Sequence, residues 1–176
     1  MKYKFKPDAG GGLLISSKRW LDSFSNTVGY RLDILLDVGG RTQLKFDFPN
    51  RSWDDVWQEE ANYFLNLCQL GVATIIVFKE GLYEVHINLN QPLQTESIYV
   101  SNLIIEDNSI LVAEAGDFLE TYFSEENYEF QELILPSGCY EVYCTVKNTE
   151  PEKILNICFK QVKQFSTTSI REIICV

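Results

Sequence analysis

Apolar and polar positions alternate along much of this chain. In RTQLKFDF, residues 41–48, every second side chain is Thr, Leu or Phe, and the positions between them are polar. Together with the extended segment 27–38 and the glycine pair at 39–40, this alternation predicts a hairpin with one wet face. A second hairpin is predicted from VATIIVF (72–78), a Glu80-Gly81 turn and LYEVHINL (82–89), whose Tyr, Val, Ile and final Leu face inward.

One segment has helical periodicity instead. It lies between the break at Pro49-Asn50 and Gly71, and Ser52, with Asp55 three residues later, is a good N-cap. The apolar residues that recur at spacings of three and four are Trp53, Val56, Trp57, Ala61, Phe64, Leu65 and Cys68. This pattern predicts an amphipathic helix at about residues 52–70 that packs its apolar side, with Cys68 in the interface, against a sheet.

Further short strands are predicted after the second hairpin. They cover residues 98–105, 108–114, 129–135, 140–146, 155–159 and 169–176. Many short strands with turn residues between them are typical of a sandwich or an open barrel. The predicted fold class is therefore mainly β: an antiparallel β-sandwich or open barrel with one amphipathic helix. Residues 1–12, with three lysines and three consecutive glycines, are predicted to be a flexible leader, and residues 13–176 a single globular domain.

The stretch LILPSGCYEVYCTV, residues 133–146, contains two cysteines five positions apart. Pro136, Ser137 and Gly138 predict a turn, and alternation beyond it places Cys144 on one face of a strand and Cys139 on the other. The two thiols therefore share neither a metal nor a disulfide. Buried, apolar thiols are the expected state.

Composition is that of a folded protein without a membrane-spanning segment. The aromatic and apolar content is that of a folded domain, and no apolar run approaches the length that spans a bilayer. The first residues are basic but have no apolar region before Pro7, and the five cysteines form no CxxC pair. Both observations predict a cytoplasmic protein with free thiols.

Catalytic and metal-binding patterns are missing from the sequence. His86 is the one histidine, on the polar positions of its predicted strand, and an exposed or edge-strand residue is its expected role. An enzyme that uses His86 stays open as a weaker alternative, and it requires a cleft with a carboxylate beside the imidazole. No zinc, calcium or phosphate-binding motif is present, so we expect no cofactor, no metal and no catalytic residues.

Charge is distributed unevenly. Between Lys79 and Lys147 there are 13 acidic residues and no lysine or arginine, although the whole chain has 15 basic residues and a formal charge of −10. Such a surface repels nucleic acid and anionic membranes and attracts basic proteins.

The densest acidic stretch is GDFLETYFSEENYEF, residues 116–130, in which acids and aromatics interleave. We call it the acidic segment. Its predicted partner-binding residues are Asp117, Glu120, Tyr122, Glu125, Glu126, Tyr128 and Glu129. The alternative is a solvated acidic face whose aromatics point into the core.

The last 100 residues or so resemble a known family. The stretch IYVSNLIIEDNSILVAEA, the pattern LPxGxYxVxCxV at residues 135–146 and the closing IREIICV are similar to the competence protein J family of small bacterial nuclease inhibitors. The resemblance implies an acidic β-sandwich that binds a nuclease and blocks its basic, DNA-binding active site. It implies no catalytic residues, and this chain has a longer N-terminal half.

Two functions from different classes follow. The first is a non-enzymatic binding protein, an inhibitor or immunity protein whose acidic segment binds a basic partner such as a nuclease toxin. The second is a β-sandwich module that binds a small molecule or glycan in an aromatic-lined cavity, or that is purely structural. The oligomeric state is not predicted.

Overall fold

The computed structural model describes residues 2–5, 12–17, 19, 50–78, 82–114, 131–149, 152–166, 170 and 174–176. These residues form one helix and ten strands, which confirms the prediction of a mainly β fold with one helix. The elements are β1 (Lys2–Phe5), β2 (Gly12–Ser17), α1 (Trp53–Leu70), β3 (Ala73–Val77), β4 (Tyr83–Leu89), β5 (Ile98–Ile105), β6 (Ser109–Glu114), β7 (Gln131–Ile134), β8 (Gly138–Thr149), β9 (Glu152–Val162) and β10 (Ile174–Cys175).

The strands form two five-stranded sheets. The first sheet has the order β1-β4-β9-β8-β5, and the second has the order β10-β3-β2-β6-β7. Most neighbours are antiparallel, as predicted, but β4 and β9 are parallel, and so are β3 and β10. Both sheets are therefore mixed. In each of them a strand from late in the chain, β9 or β10, pairs in parallel with an earlier strand.

The main core lies between the two sheets. Inward-facing side chains of the second sheet, such as Leu13 and Val112, join those of the first, such as Val85, Val142 and Ile157. Each of these five is at most 2% exposed. Burial of one such side chain stabilises the fold by about 1.5–3 kcal/mol, so this interface is the main source of stability.

Helix α1 packs on the outer face of the second sheet. Ala61, Phe64 and Cys68 contact Leu14 and Ile75 in a second apolar cluster. The predicted N-cap is confirmed, since the Ser52 hydroxyl accepts a hydrogen bond from the Asp55 amide at 3.2 Å. Among the residues that the structure describes, no helix is both long enough and apolar enough to cross a membrane.

The second predicted hairpin is wrong. Strand β3 lies in the second sheet and β4 in the first, so the two are not paired. Tyr83, Val85 and Ile87 face the core as predicted, whereas Leu89 is 40% exposed. Alternation shows which side of a strand is buried but does not show which sheet the strand joins.

Two other predictions concern the N-terminal part. The predicted hairpin at residues 27–48 lies outside the described residues. Of the predicted leader, Lys2–Phe5 form β1, which pairs with β4, and Gly12 begins β2. The division of the chain into a leader and one domain stays a prediction.

Candidate partner-binding surface

The seven predicted partner-binding residues lie outside the described residues. Asp117, Glu120, Tyr122, Glu125, Glu126, Tyr128 and Glu129 all belong to the connection between β6 and β7. The structure describes the two strands that this connection joins, β6 and β7.

Strands β6 and β7 fix the ends of this connection side by side. The pair is antiparallel, with Val112 opposite Gln131 and Ser109 opposite Ile134. Opposite residues in an antiparallel pair have Cα atoms about 4.5–5.5 Å apart, so the connection starts and finishes at one end of one hairpin. Glu132, one residue beyond the start of β7, is exposed and accepts a hydrogen bond from the Ser109 hydroxyl at 2.5 Å.

The opposite end of this hairpin carries two more exposed acids. Glu106 and Asp107 lie in the turn between β5 and β6, where the chain passes from the first sheet to the second. Arg19 contacts Glu106 at 3.2 Å, with both side chains more than 60% exposed. An ion pair in that setting is worth at most about 1 kcal/mol, and salt screens it.

The remaining described acids of the interval lie elsewhere. Glu84 and Glu141 are on the outer face of the first sheet, and Glu96 is in the exposed connection between β4 and β5. The six acidic side chains of the interval that the structure describes are therefore spread over several areas. Glu106, Asp107 and Glu132 are the ones associated with the β6–β7 hairpin.

His86 lies beside a carboxylate. Its Nε2 contacts Oε1 of Glu84 on the outer face of the first sheet, and the two side chains are 15% and 21% exposed. β4 is the second strand of its sheet in the described order. The expectation that His86 lies on an edge strand is therefore wrong. The half-buried imidazole is on the polar face, as predicted.

Glu141 forms a buried polar network that sequence reasoning missed. It is 5% exposed, and its carboxylate accepts hydrogen bonds from the Tyr143 hydroxyl at 2.9 Å and the Ser166 amide at 3.1 Å. Lys160 lies 3.9 Å away. Alternation placed Glu141 on the same face of β8 as Cys139, but it gave no sign that the Ser166 amide would reach this carboxylate.

The ionisation of this network follows from its contacts. Burial raises the pKa of Glu141, but the hydrogen bonds from Tyr143 and Ser166 and the Lys160 charge together lower it below its ordinary value. Burial, and then the hydrogen bond and charge of Glu141, raise the pKa of Tyr143 to about 12. At neutral pH the pair is therefore a carboxylate and a neutral phenol.

A shallow depression lies on the same face, beneath the connection between β4 and β5. Its lining includes Asn88, Gln94, Thr145, Asn156 and Tyr143, and its volume is about 40 Å³. His86 is not part of the lining. Pockets for drug-sized ligands measure roughly 300–1,000 Å³, so this one has room for water only.

The five cysteines are free thiols. Cys144 is buried in the core and Cys139 is half-buried on the opposite face of β8, which confirms the predicted separation. Burial raises the pKa of the Cys68 thiol to about 12 and that of the Cys144 thiol to about 11. Both behave as apolar core residues at neutral pH.

Comparison with known proteins gives one structural similarity. No protein-family model matches this sequence, and no curated protein matches it either. The fold is similar to the crystal structure of ComJ, inhibitor of the DNA degrading activity of NucA, from Bacillus subtilis. The two chains are 10% identical, with a TM-score of 0.41 over 92% of this chain and 96% of that one. The resemblance seen in the sequence is confirmed at this distant level, and we transfer no residue role from it.

Proposed function

We propose that this protein is a non-enzymatic binding protein that inhibits a basic partner, a nuclease being the first candidate. The single observation behind the proposal is the run of 13 acidic residues from Glu80 to Glu141 without one lysine or arginine. The free thiols are consistent with action in a reducing compartment such as the cytoplasm.

The β6–β7 hairpin supports the proposal by its geometry. The connection whose sequence contains the acidic segment starts at β6 and finishes at β7, at one end of their hairpin and near the exposed Glu132. Arg19 is the one cation that contacts Glu106, Asp107 or Glu132 among the described residues. Because these carboxylates are exposed, their combined field extends into solvent over about a Debye length and speeds encounter with a basic protein.

A nuclease is a suitable partner on chemical grounds. Enzymes that bind DNA contact its phosphates with lysine and arginine, so an acidic protein surface can occupy the same groups. The resemblance of residues 135–146 to the nuclease-inhibitor family implies the same class of partner. Inhibition is then competitive with DNA, and no chemical step on the inhibitor is needed.

Binding to a panel of purified basic nucleases tests the proposal. We expect binding and loss of DNA cleavage at low ionic strength, with affinity falling as salt rises, because the Debye length shortens from about 10 Å at 0.1 M to about 3 Å at 1 M. Replacing Glu125, Glu126 and Glu129 together with Gln is expected to weaken binding at low salt by at least about tenfold, since contacts with complementary charges set affinity and on-rate.

The matched control removes the same amount of charge elsewhere. Replacing Glu59, Glu150 and Glu152 with Gln removes the same amount of negative charge but leaves the acidic segment intact. If the two triple variants weaken binding to the same extent, net charge alone explains the interaction. Tight binding that neither salt nor the first variant changes would contradict the acidic-surface mechanism.

A further inference from the structure

Strand β7 lies at the edge of the second sheet. It is the last strand in the described order, and β6 is its one strand partner there. Ile134 at its end is 86% exposed, the most exposed large apolar side chain of the described residues. Isoleucine favours strands and gains by burial, so its position on an open edge needs an explanation.

The hydrogen-bonding direction of β7 follows from its register. The Leu135 amide donates to the Asn108 carbonyl at 3.1 Å, so residue 135 points its backbone groups towards β6 and its turn. Along a strand the backbone groups alternate in direction, so Leu133 also points to β6, opposite Ile110. The N–H and C=O groups of Glu132 and Ile134 therefore point away from β6, towards the open edge.

We propose that the open edge of β7 binds an extended, basic segment of the partner as an added strand. Glu132 and Ile134 each offer one backbone donor and one acceptor, enough for a short ladder. The Ile134 side chain supplies apolar contact, and Glu132 meets a lysine or arginine of the added strand. This inference rests on the proposed function and names the way in which the partner is bound.

Charge selects a basic partner over a second copy of this chain. Two copies that pair through β7 would bring Glu132 of each protomer close together, along with both acidic segments. Like charges across an interface cost free energy, and this chain has a net charge of −10. An acidic residue on a short edge strand is also a common protection against pairing with identical edges.

Backbone amide exchange measured by NMR tests the edge directly. The probe is a short synthetic peptide of alternating lysine and valine, with a glutamate and valine peptide as its charge control. At a peptide concentration about ten times Kd, we expect the Glu132 and Ile134 amides to exchange about tenfold more slowly, because exchange then requires dissociation. The amides of Leu133 and Leu135 already face β6 and its turn and are expected to change much less.

Two variants separate the backbone from the side chain. Ile134→Pro removes the outward N–H without removing a hydrogen bond to β6, and edge strands tolerate proline at such a position. Ile134→Ala removes most of the side chain and keeps the donor. We expect Ile134→Pro to weaken peptide binding by about tenfold and Ile134→Ala by less, since the lost hydrogen bond and the proline ring both act at the edge.

Five results would overturn the inference. If the lysine peptide binds without slowing exchange of the Glu132 and Ile134 amides, the contact lies elsewhere. The nuclease-inhibitor proposal is then unaffected. If the glutamate peptide binds as well as the lysine peptide, the edge has no preference for basic segments. If the Ile134→Pro variant binds the lysine peptide as well as the unmodified protein does, no backbone ladder forms at the edge. Concentration-dependent dimers that Ile134→Pro abolishes would identify a second copy as the occupant. Absence of lysine-peptide binding overturns the edge site, whereas the nuclease panel alone decides the proposed function.

Discussion

Asn108 and Ser137 exchange hydrogen bonds across two of the connections at which the chain passes between the sheets. The Ser137 amide donates to Asn108 Oδ1 at 2.8 Å, and the Asn108 amide donates to Ser137 Oγ at 3.2 Å. Asn108 has a left-handed backbone with φ of 57°, which asparagine tolerates better than most residues. These bonds join the β5–β6 turn to the β7–β8 turn, so both crossovers are fixed at one corner.

Replacing Ser137 with Ala should therefore destabilise the fold. The hydroxyl also lies 2.9 Å from the Glu106 carbonyl, so the change removes an acceptor for Asn108 and a donor for Glu106. Because the turn is exposed, water replaces part of the loss, and we expect about 0.5–1.5 kcal/mol by urea unfolding. Asn108→Gly is the matched control, since it keeps the left-handed backbone and loses only the side-chain bonds. A stability equal to that of the unmodified protein in both variants would show that the corner contributes nothing.

Gly71, at the C-cap of α1, offers a second test. Its φ is +77°, and a Cβ there would lie 2.9 Å from Cγ1 of Ile104. We expect Gly71→Ala to lower the free energy of unfolding by about 1–3 kcal/mol, from backbone strain and from this contact. Gly71→Asn keeps a Cβ but suits the left-handed region better. Adding Gly71→Ala to an Ile104→Ala background, with Ile104→Ala alone as reference, removes the Ile104 contact and leaves the backbone strain together with the Phe165 ring atoms at 3.1 Å and 3.2 Å. No loss in Gly71→Ala would refute both causes.

The helix and its ends were predictable because their signals are local. The Ser52 cap, the spacing of Val56, Ala61 and Phe64, and Gly71 lie within one stretch of chain, and each has a physical cause that needs no distant partner. The faces of β8 were predictable for the same reason. Its period-two pattern alone separates Cys139 from Cys144.

Strand pairing was not predictable in the same way. β3 and β4 are adjacent in the sequence but lie in different sheets, and β4 instead pairs in parallel with β9, about 70 residues later, as with Val85 opposite Leu155. The sequence near β4 carries no signal for its pairing with β9, because packing of the whole core selects that pairing. The Glu141 network was missed for that reason too, since Ser166 comes from a distant segment. The acidic segment itself stays a prediction.

Thiol reactivity should follow burial. The pKa of Cys68 is raised to about 12 and that of Cys144 to about 11, so neither is a thiolate at neutral pH, while Cys175 is exposed. A disulfide reagent at mildly alkaline pH is expected to modify Cys175 within minutes and the two buried thiols only after unfolding. Mass spectrometry of digested protein locates each modification. Early modification of Cys68 in the folded protein would mean that α1 separates readily from the second sheet.

The Glu141 network makes stability depend on pH. Because the pKa of Glu141 is lower in the folded protein than in the unfolded chain, its ionisation stabilises the fold fully above the unfolded value of about 4.3. That contribution is lost as pH falls through the folded pKa. The variant Glu141→Gln, which keeps the shape of the side chain, should therefore be less stable near pH 7 by about 1.5–3 kcal/mol, the value of hydrogen bonds to a charged group.

The difference between Glu141→Gln and the unmodified protein should shrink as pH falls below the unfolded value of about 4.3 and then through the lower folded pKa, below which the carboxyl is protonated in both states. Urea unfolding at several pH values measures it. Glu59→Gln is the control, because it removes the same charge from an exposed pair with Arg51 at 2.7 Å, which contributes at most about 1 kcal/mol. A loss that is equal in the two variants, or that grows as pH falls, would show that the contacts with Tyr143 and Ser166 do not govern the effect of Glu141.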